Sequence, residues 1–158
     1  MSETASRTWQ QQHARMMRAY QRATSAKETN AQAEDDSYNF FASCCHLKDW
    51  LKNDPTVAKT IEKAADDLVD AQDSLKLCAN LANGIKHLRA DRHPSVDADS
   101  KLNSVNAAVY QSDAFQHDAF QTDERIVVIA AGGFRDAHQL ADECIAAWND
   151  FLRSRRLM

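Results

Sequence analysis

Hydrophobic residues recur along this chain at the three- and four-residue spacings that are typical of amphipathic helices. Trp9, Met16, Tyr20 and Ala23 fall on one face of such a helix and predict a first helix over residues 7–27. Most of the side chains between them are polar, so we expect this helix to bury one stripe against the rest of the protein.

A second helix is predicted over residues 38–51, after a polar segment at residues 30–36 that we interpret as a linker. Asp36 or Ser37 is available as its N-cap. Pro55 comes after this helix and suits the first turn of a third one. The apolar stripe of the second helix comprises Phe40, Phe41, Cys44, Leu47 and Leu51.

The third helix has the most regular heptad pattern in the chain. Its apolar positions are Val57, Ile61, Ala64, Leu68, Ala71 and Leu75. We predict a break or bend near Asp73 and Ser74, where an N-cap is available for a fourth helix that continues to residue 88. Residues 91–100 are polar and predict a loop.

Beyond that loop the pattern changes from helical to extended. Residues 105–110 and 125–130 are short β-prone runs, which predict a hairpin within an insertion at residues 91–133. A Gly-Gly pair ends the insertion, and a last helix is predicted over residues 134–153. Its apolar positions are Phe134, Leu140, Ala141, Cys144, Ile145, Trp148 and Leu152.

These elements predict a mainly all-α fold, in which an antiparallel bundle of four to five helices carries a small β-hairpin inserted before the last helix. A length of 158 residues suits a single domain over residues 1–158, with a flexible N-terminus at residues 1–6. The hairpin would cap the bundle or mediate dimerisation.

The formal net charge of −4 excludes a polycation, although it is compatible with a local basic patch. No apolar run approaches the roughly 18 residues that a transmembrane helix needs. The polar start of the sequence lacks the apolar segment of a signal peptide. We therefore expect a cytoplasmic protein with no membrane contact.

The four cysteines, Cys44, Cys45, Cys78 and Cys144, fall on or beside apolar stripes. None forms a Cys-x-x-Cys pair, so the ligand spacing of common zinc sites is absent. Buried free thiols are the favoured interpretation, and we predict neither a bound metal nor a cofactor.

The fourth helix carries the most distinctive polar face of the chain. Asn80, Asn83 and His87 share this face, with Lys86 at its edge, opposite an apolar stripe. Such a face is either an ordinary solvent-exposed surface or a functional site.

The second helix repeats this design, because His46 and Asp49 lie three residues apart on one face with Trp50 beside them. A carboxylate near an imidazole raises the pKa of the ring and orients it, which suits acid–base chemistry. If the polar faces of the two helices meet, these residues converge on one groove. The alternatives are a solvated surface, a structural polar network, or a metal site formed by the two histidines and Asp49.

The predicted bundle, with its polar residue followed by a histidine, resembles the HEPN superfamily, which includes ribonuclease toxins and defence proteins. The usual motif of that superfamily is an Arg, a short spacer and a His, often with a polar residue directly after the Arg. Asn83 takes the polar position and His87 the histidine position, whereas the Arg position is Ala82. The resemblance covers residues 38–88.

This resemblance implies a homodimer that acts on RNA or a nucleotide, as a metal-independent endoribonuclease of a toxin or phage-defence type, with a cognate antitoxin as a further partner. His87 would act as general acid and base, Asn83 would orient it, and Lys86 would hold the phosphate. The residues expected to bind the RNA or nucleotide are His46, Asp49, Asn80 and Trp50.

The alternative is a non-catalytic, dimeric helical module that binds a nucleotide, a nucleic acid or a protein. The overall acidity of the chain and Ala82 at the Arg position favour this alternative. An Arg offers phosphate a forked, permanently charged contact that Lys86 reproduces only in part.

Overall fold

The computed structural model describes residues 7–27, 29–87, 101–106, 124–130 and 133–158. Within these residues the chain forms five helices and three strands. The helices are α1 (Trp9–Thr24), α2 (Asn30–Asn53), α3 (Lys59–Ala71), α4 (Asp73–His87) and α5 (Ala137–Ser154). The strands are β1 (Lys101–Asn106), β2 (Glu124–Ala130) and β3 (Gly133–Asp136). The fold is mainly α-helical, which confirms the sequence prediction.

The first two helices form an antiparallel pair. Tyr20 near the end of α1 packs edge-on against Phe40 of α2, with 5.9 Å between the ring centroids. At the opposite end, the backbone N–H of Trp9 donates to the carboxylate of Asp54, just after α2, at 3.0 Å. A carboxylate at the first turn of a helix also interacts favourably with the helix dipole.

The third and fourth helices run in succession along α2, towards its N-terminal end. Lys52 in the last turn of α2 pairs with Asp66 of α3 at 3.0 Å, whereas Phe41, three turns earlier, accepts a hydrogen bond from the Cys78 thiol of α4 at 3.3 Å. An extended residue, Gln72, separates the two helices. This position confirms the predicted break before Asp73.

The last helix lies antiparallel to α1. The hydroxyl of Tyr20 donates to Asp142 at 2.5 Å, and the ring of His13 bonds to Asn149 at 2.9 Å. The five helices therefore pack as an antiparallel bundle around α2. The largest side chains that are fully buried in it are Trp148, Phe40, Phe41, Met16, Leu47, Leu51, Leu81, Leu140, Leu152 and Gln12.

Burial of these apolar side chains stabilises the bundle, at about 1.5–3 kcal/mol for each large residue. The stripe predicted for the second helix is entirely buried, whereas Tyr20 of the first stripe and Ile145 of the last are half-buried. Among the described residues, no helix has the length and apolar character needed to cross a membrane.

The predicted linker at residues 30–36 is wrong, because α2 already begins at Asn30. The Thr29 hydroxyl caps the helix by accepting from the N–H of Gln32 at 3.2 Å. Lys27 pairs with Asp36 at 2.7 Å across the α1–α2 connection. The polar side chains of this segment therefore lie on a helix that the sequence pattern missed.

Pro55 lies in the turn before α3 and not in its first turn. The turn is organised by Asp54, whose carboxylate accepts from the backbone N–H of Thr56 at 2.9 Å and from its hydroxyl at 2.6 Å. The first turn of α3 comes only after Ala58, its N-cap residue.

The predicted hairpin is part of a three-stranded antiparallel sheet in the order β1-β2-β3. β2 matches the second predicted run, but β1 starts at Lys101, four residues before the first one, and residues 107–110 lie outside the described residues. β3 was predicted as the beginning of the last helix. Phe134 instead pairs with Ile129, and Asp136 caps α5 by accepting from the N–H of Gln139 at 3.1 Å.

Candidate functional site

The residues predicted on the polar face of the fourth helix occupy different environments. Asn83 is exposed, whereas Asn80 is 5% exposed and belongs to the buried side of α4. The prediction of a shared polar face was therefore wrong for Asn80, because this helix is buried on more than one side around Cys78. His87 and Lys86 lie in the last turn of α4, and their side chains are outside the described part of the chain.

The residues predicted on the second helix lie at a distance from Asn83. His46 and Asp49 are exposed, and Trp50 is half-buried. Cys78 of α4 contacts Phe41 of α2, and the two helices are antiparallel. Asn83 lies five residues after Cys78, towards the N-terminal end of α2. His46 lies five residues after Phe41, towards the C-terminal end of α2. At 1.5 Å per residue, this register separates them by about 15 Å along the helix axes.

Of these three second-helix residues, Trp50 lies beside α1. The guanidinium carbon of Arg15 lies 5.4 Å from the ring centroid of Trp50, as in a cation–π contact. Arg15 also donates to the side-chain oxygen of Gln12 at 2.9 Å, and Gln12 in turn donates to the carbonyl of Ser43 at 2.8 Å. Because Gln12 is fully buried, this chain of bonds orients an exposed guanidinium from the core outwards.

The exposed side of α1 is strongly basic. Residues 7–27 include five Arg or Lys residues and no Asp or Glu, although the whole chain has a net charge of −4. Arg15, Arg18 and Arg22 are exposed and follow helical spacing, and we name them the α1 basic face. The local basic patch that the net charge permits therefore exists on this helix.

A second group of basic residues lies close to the start of α1. Because α5 is antiparallel to α1, its C-terminal end is adjacent to the first turn of α1. Arg153, Arg155 and Arg156 at that end are exposed, and the guanidinium carbon of Arg155 lies 5.6 Å from the ring centroid of Phe151. A second cluster of exposed basic side chains thus lies at this end of the bundle, where Arg153 also pairs with Asp150 at 3.7 Å.

The opposite flank of α2 is acidic. The acidic residues on or next to α3 are Glu62, Asp66, Asp67, Asp70 and Asp73. Lys48 and Lys52 of α2 both approach Asp66, at 3.5 and 3.0 Å, and neutralise part of this charge. Burial raises the pKa of Asp66, but the hydrogen bonds and the positive charges of Lys52 and Lys48 outweigh burial and lower it. Acidic residues therefore outnumber basic ones along α3, in contrast to α1.

Three of the four cysteines meet in the core. The Sγ atoms of Cys44 (α2), Cys78 (α4) and Cys144 (α5) all lie within 4.8 Å of one another, and all three residues are buried. The Cys78 thiol donates to the carbonyl of Phe41, and that of Cys144 to the carbonyl of Ser74 at 3.4 Å. We name these three residues the thiol triad; they are the only group of three or more potential metal ligands found among the described residues.

The thiols of the triad influence one another strongly. Hydrogen bonds from Cys44 and Cys78 lower the pKa of Cys144, although its burial opposes this shift. The pKa of Cys44 is raised well above its usual value, chiefly because its proton is held in the hydrogen bond to Cys144. Burial is the main cause that raises the pKa of Cys78. The three sulfur atoms thus behave as one coupled group.

The sequence interpretation placed the thiols correctly in the core but did not predict that they meet. Each cysteine lies on the apolar stripe of a different helix, and nothing in their sequence spacing indicates a common site. The α1 basic face, in contrast, is indicated by the sequence itself, since residues 7–27 contain five Arg or Lys residues and no acidic residue.

No family model, curated protein or solved structure matches this chain. The resemblance to the HEPN superfamily therefore stays a prediction.

Proposed function

We propose that this chain is a helical module that binds RNA through the α1 basic face and the adjoining Trp50. The observation that carries the proposal is the row of exposed arginines on a helix without acidic residues, in a protein of net negative charge. Phosphate groups supply most of the affinity of nucleic-acid binding proteins, because bound cations release counterions from the nucleic acid.

The spacing of the arginines suits a phosphate backbone. Arg15, Arg18 and Arg22 span seven residues of α1, or about 10 Å of helix axis. Their guanidinium groups make forked contacts with phosphate oxygens, which lysines do not. Trp50 adds an aromatic surface beside Arg15, and aromatic and guanidinium planes both stack with unpaired bases.

The test is fluorescence anisotropy with a labelled single-stranded RNA, titrated at several salt concentrations. Replacement of Arg15, Arg18 and Arg22 by Ala should weaken binding by about 10- to 100-fold near 0.1 M salt. The slope of log Kd against log salt should also fall by about 2, because single strands lose roughly 0.7 per phosphate contact.

The matched control replaces three other exposed cations, Lys59, Lys63 and Lys76, by Ala and changes the net charge equally. It should leave the RNA affinity within about twofold, since lysines away from the α1 basic face contribute only weak, screened attraction. An equal loss in the control would contradict a localised site. Tighter binding of single-stranded DNA than of RNA would contradict the choice of RNA.

A catalytic role for the end of α4 is the second candidate, and the exposure of Asn83 favours it. In this form of the proposal His87 is the general acid and base, Asn83 orients it, Lys86 holds phosphate, and two copies of the chain act together. Purified protein should then cleave RNA in EDTA and leave cyclic-phosphate ends, whereas His87→Ala should be inactive with unchanged helical circular dichroism. Cleavage that survives His87→Ala would exclude this role.

A further inference from the structure

A small cavity lies next to the thiol triad, on the side where α2, α3 and α4 meet. Its volume is about 20 Å³, which is enough for one water-sized ligand. The side chains that line it are Cys44, Cys45, Lys48, Val69, Leu75, Cys78, Ala79 and Trp148. Two thiols of the triad therefore border the cavity, while Cys45 and Lys48 at its rim are half-buried.

We propose that the thiol triad is a binding site for Zn²⁺, with Cys44, Cys78 and Cys144 as three thiolate ligands and the cavity as the fourth coordination position. Zinc binds thiolate sulfur at about 2.3 Å and prefers four ligands in a tetrahedral arrangement, which places its sulfur ligands about 3.8 Å apart. The three Sγ atoms already lie within 4.8 Å of one another, so small side-chain shifts bring them to this spacing.

The protons of the thiols leave as the metal enters. Zn²⁺ forms three Zn–S bonds, up to three protons pass to solvent, and no electrons are transferred. The carbonyls of Phe41 and Ser74 then lose the thiol hydrogen bonds that they accept. Both carbonyls lie within helices, where each also serves as the acceptor for the backbone N–H four residues later, so neither is left without a donor.

Charge favours Zn²⁺ over Cu(I), which binds the same soft ligands. Three thiolates leave a net charge of −1 on a zinc complex and −2 on a copper(I) complex, and a buried charge is costly unless it is compensated. Lys48 is the positive side chain that lines the cavity, and it is shared with Asp66. One ammonium at this position balances the zinc complex better than the copper complex.

Trp148 provides an independent indication of a ligand. It lines the same cavity, it is 1% exposed, and its indole N–H has no hydrogen-bond acceptor among the described residues. A buried donor without a partner costs about 1–3 kcal/mol. A zinc-bound thiolate or a ligand in the fourth position supplies an acceptor at this place, as outer-shell donors do at other metal sites.

The test uses Co²⁺ as a spectroscopic probe for zinc, under reducing and anaerobic conditions. The wild-type protein should bind one Co²⁺ with an intense sulfur-to-metal charge-transfer band and the d–d bands of four-coordinate cobalt, and Zn²⁺ should displace it. His138→Ala is the matched control, because His138 is an exposed potential metal ligand on the same helix as Cys144 and does not line the cavity. This variant should bind Co²⁺ as the wild type does.

Cys78→Ala and Cys144→Ala should each weaken binding by more than about 100-fold, beyond the range for loss of an outer-shell partner. Circular dichroism without metal checks that each variant is folded. Because a variant can fail that check, the melting temperature of the wild type is the second readout, and Zn²⁺ at a hundredfold excess over Kd should raise it by about 5–10 °C.

Three results would overturn the proposal. The first is the absence of a charge-transfer band in wild-type protein that is fully reduced. The second is an equal loss of binding in His138→Ala, which would place the metal outside the thiol triad. The third is stoichiometric binding of Cu(I) by protein that does not bind Zn²⁺. This result would mean that the triad holds a metal with three sulfur ligands and that the cavity does not supply a fourth ligand.

Discussion

Buried polar groups have different kinds of hydrogen-bond partners on the two sides of α2. Between α1 and α2, Gln12 and Asp54 are buried, and each makes short hydrogen bonds to backbone groups of the neighbouring segments. Between α2, α4 and α5, the three thiols bond mainly to one another and to carbonyls that already serve the helices, and the indole N–H of Trp148 has no acceptor among the described residues.

The difference distinguishes polar groups whose hydrogen bonds stabilise the fold from polar groups that the fold does not require. Asp54 and Gln12 satisfy backbone donors and acceptors that would otherwise be buried without partners, so their chemistry is explained by folding. A buried cysteine packs as a small apolar residue, so packing alone does not require three thiols to lie within 4.8 Å of one another. The thiol triad and Trp148 are therefore the part of the core whose composition points to a ligand.

Loss of the Asp54 carboxylate should destabilise the fold more than loss of the Gln12 amide or of the Trp148 N–H. Asp54→Ala removes the acceptor for the N–H of Trp9 and for both donors of Thr56, and it leaves the N–H of Trp9 buried without this partner. We expect a loss of about 3 kcal/mol in the free energy of unfolding, measured by urea denaturation. Asp49→Ala, an exposed carboxylate on α2, is the control and should change it by less than about 0.5 kcal/mol.

The contribution of Asp54 should also depend on pH. Burial raises the pKa of this carboxyl, but hydrogen bonds from the Thr56 hydroxyl and from the N–H groups of Trp9 and Thr56 outweigh burial and lower it below its ordinary value of 3.8. A carboxyl with a lowered pKa stabilises the folded state above its unfolded pKa and loses this contribution as the pH falls. The stability difference between wild type and Asp54→Ala should be constant above about pH 5 and should shrink below about pH 4. A constant difference down to pH 3 would contradict this.

A smaller loss is expected at Gln12. Gln12→Ala leaves the carbonyl of Ser43 without its side-chain donor and opens a cavity in the α1–α2 interface, at a cost of about 2 kcal/mol. Gln10→Ala, at an exposed position of the same helix, should have almost no effect on urea denaturation. If both variants were equally stable, the polar groups of this interface would not hold it together.

The helices were predictable where one apolar stripe faces the core. The stripes of α1, α2 and α5 follow from periodicity alone, and the break before Asp73 follows from its capping residue. Residues 30–36 were missed because their polar side chains suggested a linker, whereas Thr29 and the ion pair between Lys27 and Asp36 support a helix. β3 was missed because Phe134 continues the helical period of α5, although it pairs with Ile129.

The candidate sites were less predictable than the helices, because they depend on how helices are placed relative to one another. Asn80 was assigned to a polar face, but α4 is enclosed on more than one side at that turn. His46 and Asn83 were expected to converge if the helices met face to face, and the antiparallel register instead separates them. The meeting of Cys44, Cys78 and Cys144 likewise follows only from the packing of three helices.

The smallest effect on stability is expected for Trp148→Phe, and this variant gives the sharpest comparison of the two sides of α2. Trp148→Phe removes the indole N–H and keeps most of the apolar ring. The smaller ring loses some packing, which destabilises the folded state. Removal of a buried donor that has no acceptor stabilises the folded state by about 1–3 kcal/mol. Because the two effects oppose each other, the free energy of unfolding should stay within about 1 kcal/mol of the wild type. Trp148→Ala is the control for packing alone and should lose about 3–5 kcal/mol. A loss near 3 kcal/mol in Trp148→Phe, measured in the absence of metal, would mean that the indole N–H has an acceptor in the folded protein. Both sides of α2 would then satisfy their buried polar groups, and Trp148 would no longer distinguish them.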